Sequence, residues 1–209
     1  MSTDPATIAG LPAHEALGVG LRFSLHPMSD RFVEVILGAL DDADATGLTV
    51  TTTDVSTHVA GAEADLARYL RDAIAAAVER LGGGHLAVNV LLSRGCPGAV
   101  RCDLGEVDTL PIVDPLALEP AGIPTAAHWA LYPLGGDGHM EAIERGIAAT
   151  EGDGTFVRVE RFVTRLEGDL AEVLGSVFDA WTAAGAVVPH VTSHVFLSIG
   201  SPSGQGGPS

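Results

Sequence analysis

The feature that most constrains the fold is an internal repeat, in which a short segment returns 106 residues later along the chain. Residues 22–28 read Arg-Phe-Ser-Leu-His-Pro-Met, and residues 128–134 read His-Trp-Ala-Leu-Tyr-Pro-Leu. Aligning Pro27 with Pro133 also places Leu25 on Leu131. One match of this length is compatible with chance, so the test is whether the offset persists.

The offset persists, with drifts of one or two residues where loops are expected. An apolar helical pattern at 33, 36 and 40 recurs at 140, 143 and 147, and Thr57 recurs as Thr164. Both halves then end in a histidine, seven residues and the pattern Ser-x-Gly-x-Pro, beginning at His85 and His190. The chain is therefore a tandem duplication.

Each half predicts the element order β-α-β-β-α-β. Alternation of apolar and polar residues predicts a strand up to His26, and Pro27 ends it because proline cannot donate to a ladder. Ser29 is a suitable N-cap for the helix that follows. The later elements of the first half are strands within 47–60 that break near 54, a helix at 62–81 and a strand at 85–93. In the second half we expect strands at 128–132, 155–166 and 191–198 and helices at 140–149 and 169–183.

Apolar spacing predicts which side of each helix packs on the sheet. For the first two helices the predicted inward residues are Phe32, Val33, Ile36, Leu37 and Leu40, and then Leu66, Leu70, Ile74, Val78 and Leu81.

The fold class predicted is α+β, a tandem repeat of two ferredoxin-like βαββαβ units with antiparallel sheets covered by helices on one face. The predicted boundaries are an arm at 1–17, repeat 1 at 18–98, a proline-rich linker at 99–123, repeat 2 at 124–202 and a disordered tail at 203–209. Two four-stranded sheets would leave two open faces, to be covered in part by the other half, by a second chain or around a ligand, and a homodimer is the simplest expectation.

The net charge of −16 argues against nucleic acid and anionic membranes as partners, and is compatible with a cationic small molecule. The chain shows neither a signal-peptide pattern at its start nor an apolar run of membrane-spanning length, so we expect a cytoplasmic protein without membrane insertion. Cys96 and Cys102 lack metal-ligand spacing and are interpreted as free thiols, with a local disulfide as the alternative.

The sequence carries no nucleophile turn, phosphate loop or dinucleotide fingerprint, so it predicts no catalytic residue and no cofactor. His190 and His194 share one face of a strand and could bind a metal, but a third ligand is missing and a structural or ligand-contacting role is favoured. Hydroxyls recur instead at equivalent points of both repeats, at Thr57 and Thr164. A buried hydroxyl needs a partner, either backbone or ligand, and the recurrence favours one pocket per repeat.

Several segments resemble the YkoF-type thiamine/hydroxymethylpyrimidine-binding family. They are residues 21–30 before an apolar helix, Gly-Cys-Pro-Gly at 95–98, Ala-Leu-Tyr-Pro at 130–133 and Gly-Thr-Phe-Val at 154–157. The resemblance spans residues 20–202 in the family's order.

The resemblance implies a dimeric tandem of ferredoxin-like repeats that binds thiamine or its hydroxymethylpyrimidine moiety without catalysis. It also implies a role in salvage or uptake, with hand-over to a thiamine or pyrimidine transporter or a salvage enzyme. By position, the candidate ligand-binding residues are Ser24, Leu25, His26, Thr57, Asn89, Ala130, Leu131, Tyr132, Thr164 and His194. His26 replaces the tyrosine that the family has before its proline, so the two pockets are expected to be unequal.

Two other functions stay open at this point. One is a cofactor-free enzyme of the dimeric ferredoxin-like type, with His194 or His128 as general base. The other is a ligand-sensing module that regulates a partner.

Overall fold

The computed structural model describes residues 14, 17–95, 113, 116–134 and 138–205. Most of the predicted arm and linker lie outside these residues. So do both cysteines, and with them the interpretation as free thiols.

The element order is the predicted one in both repeats. Repeat 1 contains β1 (Gly20–Pro27), α1 (Phe32–Asp42), β2 (Thr49–Thr52), β3 (Thr57–Ala60), α2 (Glu63–Leu81) and β4 (Leu86–Arg94). Repeat 2 contains β5 (Pro124–Leu134), α3 (His139–Gly152), β6 (Phe156–Glu160), β7 (Val163–Asp169), α4 (Leu170–Gly185) and β8 (His190–Ile199). The α+β class and the two βαββαβ units are thereby confirmed.

The two repeats share one sheet. Its eight strands lie in the order β2-β3-β1-β4-β8-β5-β7-β6, and every neighbouring pair is antiparallel. The repeats join where β4 pairs with β8 from Leu86↔Ile199 to Arg94↔Val191. The expectation of two separate sheets with two open faces is therefore corrected, because pairing these strands removes two exposed edges and leaves one continuous open face.

All four helices cover the same face of this sheet. In β1 the side chains of Leu21, Phe23 and Leu25 are buried towards the helices, while the alternate residues point to the open face. In α4 the aromatic rings of Phe178 and Trp181 are fully buried and pack edge to face, with centroids 5.7 Å apart. The helices α2 and α4 also contact each other, so one core runs through both repeats.

Helix α1 differs from its prediction. It begins at Phe32 with Arg31 at the N-cap position, and the Ser29 hydroxyl accepts a hydrogen bond from the Arg31 amide instead of capping the helix. The small side chains Val35 and Ala39 are the buried ones. Of the predicted inward set, Ile36 and Leu40 are partly buried, whereas Phe32, Val33 and Leu37 are exposed. Close packing on the sheet buries the smaller residues, and part of the larger apolar stripe stays exposed.

Other elements follow the prediction closely. In α2 the residues Leu66, Leu70, Ile74 and Leu81 are buried, and Gly82 ends the helix with a φ of 68°. Two differences occur in repeat 2 and beyond it. Strand β5 begins at Pro124 and continues one residue past Pro133, and residues 202–205 form a 3-10 turn where a disordered tail was expected from 203 onwards.

Candidate functional site

A cavity of about 500 Å³ lies in repeat 1 between the end of β1, helix α1 and the β2–β3 hairpin. This volume is within the range of small-molecule sites, roughly 300 to 1,000 Å³. The cavity is lined by residues 23–28, Phe32, Ile36, Leu40 and residues 52–57. Four candidate residues of repeat 1, Ser24, Leu25, His26 and Thr57, thus meet around one space.

The cavity exists because β1 extends beyond the residues that pair with β3. The β1–β3 register ends at Phe23↔Thr57, while the β1–β4 register continues to Pro27↔Leu86. The amide of Met28 donates to the carbonyl of His85, so by alternation the N–H and C=O of Leu25 point to the opposite edge, towards the cavity. Leu25 therefore offers one backbone donor and one backbone acceptor without a β3 partner in this register.

Hydroxyl groups stand beside this open strand edge. The Oγ1 atoms of Thr52 and Thr57 are 3.1 Å apart, and Thr57 is only 4% exposed. Whichever threonine donates within the pair, the other keeps its own O–H for a further acceptor. The Ser24 hydroxyl donates to the carbonyl of Val55 at 3.0 Å and ties the hairpin tip to β1.

The remaining wall is apolar and carries little charge. Phe32, Ile36 and Leu40 follow one another by one helical turn on α1, so they form one apolar stripe along this wall. Asp54 is the one acidic residue among the lining residues, and no lysine or arginine is among them. The site can therefore hold a flat, partly apolar ring with nitrogen acceptors and an amino donor, and it tolerates a positive charge.

Repeat 2 repeats the strand-edge opening. The β5–β7 register ends at Trp129↔Thr164, while β5 continues along β8 to Leu134↔His190. Leu131 stands where Leu25 stands in repeat 1, and it is buried, as is Thr164. Tyr132 is 49% exposed beside it. The same arrangement of backbone edge and threonine thus occurs twice.

The tip of the β6–β7 turn carries a strained aromatic residue. Phe162 has a φ of 71°, the one positive value among the described residues other than glycine, and its side chain is 94% exposed. It corresponds to Val55, which lines the cavity of repeat 1 and is 77% exposed. Residues in sparsely populated backbone conformations cluster at functional sites, so Phe162 is a further candidate contact.

The two repeats fill the space beneath the site differently. In repeat 1 the ring of Phe23 packs edge to face on Tyr69, with centroids 6.2 Å apart. In repeat 2 the corresponding residues are the larger Trp129 and the smaller Ser176, so the volume moves from the helix to the strand. The indole N–H of Trp129 donates to the Ser193 hydroxyl at 2.9 Å, which fixes the ring.

Asn89 and His194, also candidates, lie together on the open face of the sheet, with Nε2 of His194 2.6 Å from Oδ1 of Asn89. They do not line the cavity of repeat 1. Ala130 lies on the same open face, paired with His194, and its carbonyl accepts from Ser193. His128, the other proposed general base, is there too, with Nε2 3.1 Å from Glu160.

Across the described part of the chain, histidine, cysteine and acidic side chains nowhere gather in a group of three or more suited to a metal. Within the same residues, no helix combines the length and the apolarity needed to span a bilayer.

Comparison with known proteins agrees with the repeat. The model of the YKOF-related Family matches residues 18–99 and again residues 124–204, one match for each repeat. The chain belongs to this family. A curated relative, "Putative HMP/thiamine-binding protein YkoF" of Bacillus subtilis (strain 168), is 32% identical over 191 residues, covering 88% of this chain and 91% of the relative. The resemblance to the YkoF family is thereby confirmed.

Sequence reasoning missed three parts of this candidate site. Thr52 has no signal of its own, since its role depends on the hairpin that places it opposite Thr57. The α1 stripe was recognised but assigned to the core. Phe162 was detectable from the repeat offset, which aligns it with Val55.

Proposed function

We propose that the protein binds thiamine or its hydroxymethylpyrimidine moiety, with one site at the open strand edge of each repeat. The observation that carries the proposal is the cavity in repeat 1, where an unpaired stretch of β1, a threonine pair and an apolar helix stripe converge. The name of the Bacillus subtilis relative supports the same ligand class.

The chemistry of the ligand supports this assignment. An aminopyrimidine presents ring-nitrogen acceptors next to an amino donor, which matches the N–H and C=O of Leu25 and the spare O–H of the threonine pair. The ring faces would pack on Phe32, Ile36 and Leu40 of α1. The thiazolium of thiamine carries a fixed positive charge, which Asp54 and the overall charge of −16 favour.

In repeat 2 the corresponding ligand contacts are Leu131, Thr164 and Tyr132. Phe162 at the turn adds an aromatic face that would cover the ring or hold the thiazolium by a cation–π contact, which is about 0.5 to 2 kcal/mol. His26 takes the place of Tyr132 in repeat 1, so we expect unequal affinities.

We further propose that the protein is a cytoplasmic homodimer that acts in thiamine or pyrimidine salvage or uptake without catalysing a reaction. Hand-over of the ligand to a transporter or a salvage enzyme belongs to this proposal. The uncovered face of the sheet supports the dimer, because exposed apolar side chains on it, such as Leu91 and Phe196, favour burial.

Isothermal titration calorimetry with thiamine and with free hydroxymethylpyrimidine tests the binding function. We expect heat of binding for both ligands and up to two sites per chain. Thiamine recovered chemically unchanged after hours with the protein would agree with binding without catalysis. Absence of binding heat at millimolar ligand, with protein shown to be folded by circular dichroism, would refute the proposal.

A further inference from the structure

The open face of the sheet collects most of the histidines of the chain. By strand register, five of the eight histidines point away from the helices. A sixth lies just before β4, and its Nε2 is 3.0 Å from the hydroxyl of Ser198 on the same face. The six are His26, His58, His85, His128, His190 and His194. This clustering is absent from the linear sequence, since the six belong to five different strands or their ends.

The same face carries no net fixed charge. Its strand positions carry three arginines and three carboxylates, which sum to zero while the whole chain carries −16. They are Arg22, Arg158, Arg165, Glu160, Glu167 and Asp169. Two of the carboxylates are paired with arginines, and Asp169 accepts from backbone amides. The surface charge that keeps copies of this protein apart therefore lies elsewhere.

The face is large enough for a stable contact. Seven spacings of about 4.8 Å across the sheet and strands of roughly 20 to 25 Å give about 700 to 850 Å² for each protomer. A standard protein interface buries roughly 800 Å² on each partner. Leu91, Phe196 and Tyr132, each exposed by 43% to 49%, lie on its central strands.

We propose that this face packs against the same face of a second copy of the chain, and that the contact forms only while its histidines are neutral. The inference rests on the homodimer proposed above and gives it a surface and a pH dependence. A face-to-face contact would bring up to twelve histidines of two protomers into one interface, where each added proton places an unpaired charge out of water.

The surroundings of the central histidines offer little to stabilise their charged forms. His58 faces Arg22 across the β1–β3 register, and burial followed by this arginine lowers the pKa of His58. Burial alone lowers the pKa of His190, whose ring nitrogen lies 3.4 Å from the hydroxyls of Ser93 and Thr192.

His194 contacts the neutral amide of Asn89. His128 is the exception, since its Nε2 lies 3.1 Å from an acidic partner, Glu160. Arg165 is its cross-strand neighbour, itself paired with Glu167. The substitutions that test the proposal are therefore placed at His58, His190 and His194, whose neighbours are an arginine, hydroxyls and an amide.

The direction of the pH effect distinguishes this mechanism from general electrostatics. With a sequence pI near 4.6, acidification from pH 7.5 to 5.5 reduces the net charge, so repulsion between copies falls and general electrostatics predicts tighter association. Histidines that must be neutral in the dimer bind protons in the monomer instead, so association weakens as pH falls. A histidine with an ordinary pKa of about 6.5 on each protomer would raise the dimer Kd about 100-fold between these pH values. His58 and His190 each contribute less than this, because their pKa is lowered.

The test is sedimentation equilibrium of the full chain at pH 7.5 and 5.5, with circular dichroism at both values. The wild-type protein should be dimeric at pH 7.5 and its Kd should rise by at least about tenfold at pH 5.5. The triple variant His58→Gln, His190→Gln, His194→Gln should stay dimeric at pH 5.5. The variant His139→Gln, on α3 away from this face, should behave as the wild type. If the triple variant is unfolded, the single variant His194→Gln should reduce the rise in Kd between the two pH values by about threefold or more.

The outcomes separate this inference from the proposed function. A folded monomer at pH 7.5 would overturn both the dimer and the inference, whereas calorimetry with thiamine reports the binding function separately. A dimer equally tight at both pH values, or a triple variant that still dissociates in acid, would overturn the role of the histidines and leave the dimer standing.

Discussion

Replacing Thr57 by valine removes one hydroxyl from the candidate site while keeping the shape of the side chain. The hydroxyl has Thr52 as its partner at 3.1 Å, and Thr57 is 4% exposed. Losing a hydrogen bond of this kind to a bound ligand costs about 1 to 3 kcal/mol, which corresponds to roughly 5- to 150-fold in Kd. We therefore expect thiamine to bind the first site at least about fivefold more weakly.

The cost to folding should be small by comparison. Thr52 is exposed, so its hydroxyl can bond to water once its partner is lost, and the new methyl group of valine gains about 0.8 kcal/mol from burial. The net change in the free energy of unfolding should stay within about 1 kcal/mol, a shift of roughly 2 to 4 °C in Tm for a chain of this size.

Calorimetry with thiamine and a thermal unfolding curve measure the two quantities on the same sample. Thr51→Val is the matched control, because Thr51 is the neighbouring threonine of β2 and does not line the cavity. Thr164→Val tests the second repeat and should weaken only the second site. A Thr57→Val protein with native Tm and unchanged affinity would refute the assignment of the cavity as the ligand site.

Three further predictions concern the joint between repeats, helix α4 and the second site. Gly95→Ala should destabilise the protein by at least about 2 kcal/mol more than Gly84→Ala. Both glycines have positive φ, but of the two only an added Cβ at Gly95 would clash, 1.9 Å from the carbonyl oxygen of Pro189. Urea unfolding of the two variants measures the difference in stability, and equal losses would contradict the prediction. Burial raises the pKa of Asp169, but hydrogen bonds from several backbone amides lower it by more, so the pKa lies below its ordinary value. The ionised carboxylate therefore stabilises the fold above about pH 4, and this contribution is lost as pH falls below that. Asp169→Ala should lower the free energy of unfolding, measured in urea, by about 2 kcal/mol at pH 7 and by clearly less at pH 3. A loss that does not depend on pH would argue against a role for the carboxylate charge. Phe162→Ala should weaken thiamine binding at the second site several-fold without lowering Tm, because the residue is exposed and strained. An unchanged thiamine affinity by calorimetry would show that Phe162 does not contact the ligand.

Parts of the site were accessible from sequence because the repeat doubles the information at each position. A threonine that recurs at 57 and 164, next to strands that end at Pro27 and one residue past Pro133, marks the same structural point twice. The α1 stripe was misassigned for a physical reason. Periodicity shows that Phe32, Ile36 and Leu40 share one face, but it does not show whether that face meets the sheet or a cavity.

The sequence alone determined the order of strands and helices in each repeat, the duplication and the family resemblance, because these depend on local periodicity, on proline and glycine at chain turns, and on motifs at fixed spacing. Only the tertiary structure decided that β4 pairs with β8 into one sheet and that β1 and β5 extend past the ends of their pairing with β3 and β7. It also decided that six histidines gather on a single face without net fixed charge. Each of these depends on which distant strands pair and in what register, and backbone hydrogen bonds between strands carry no sequence signature of their own.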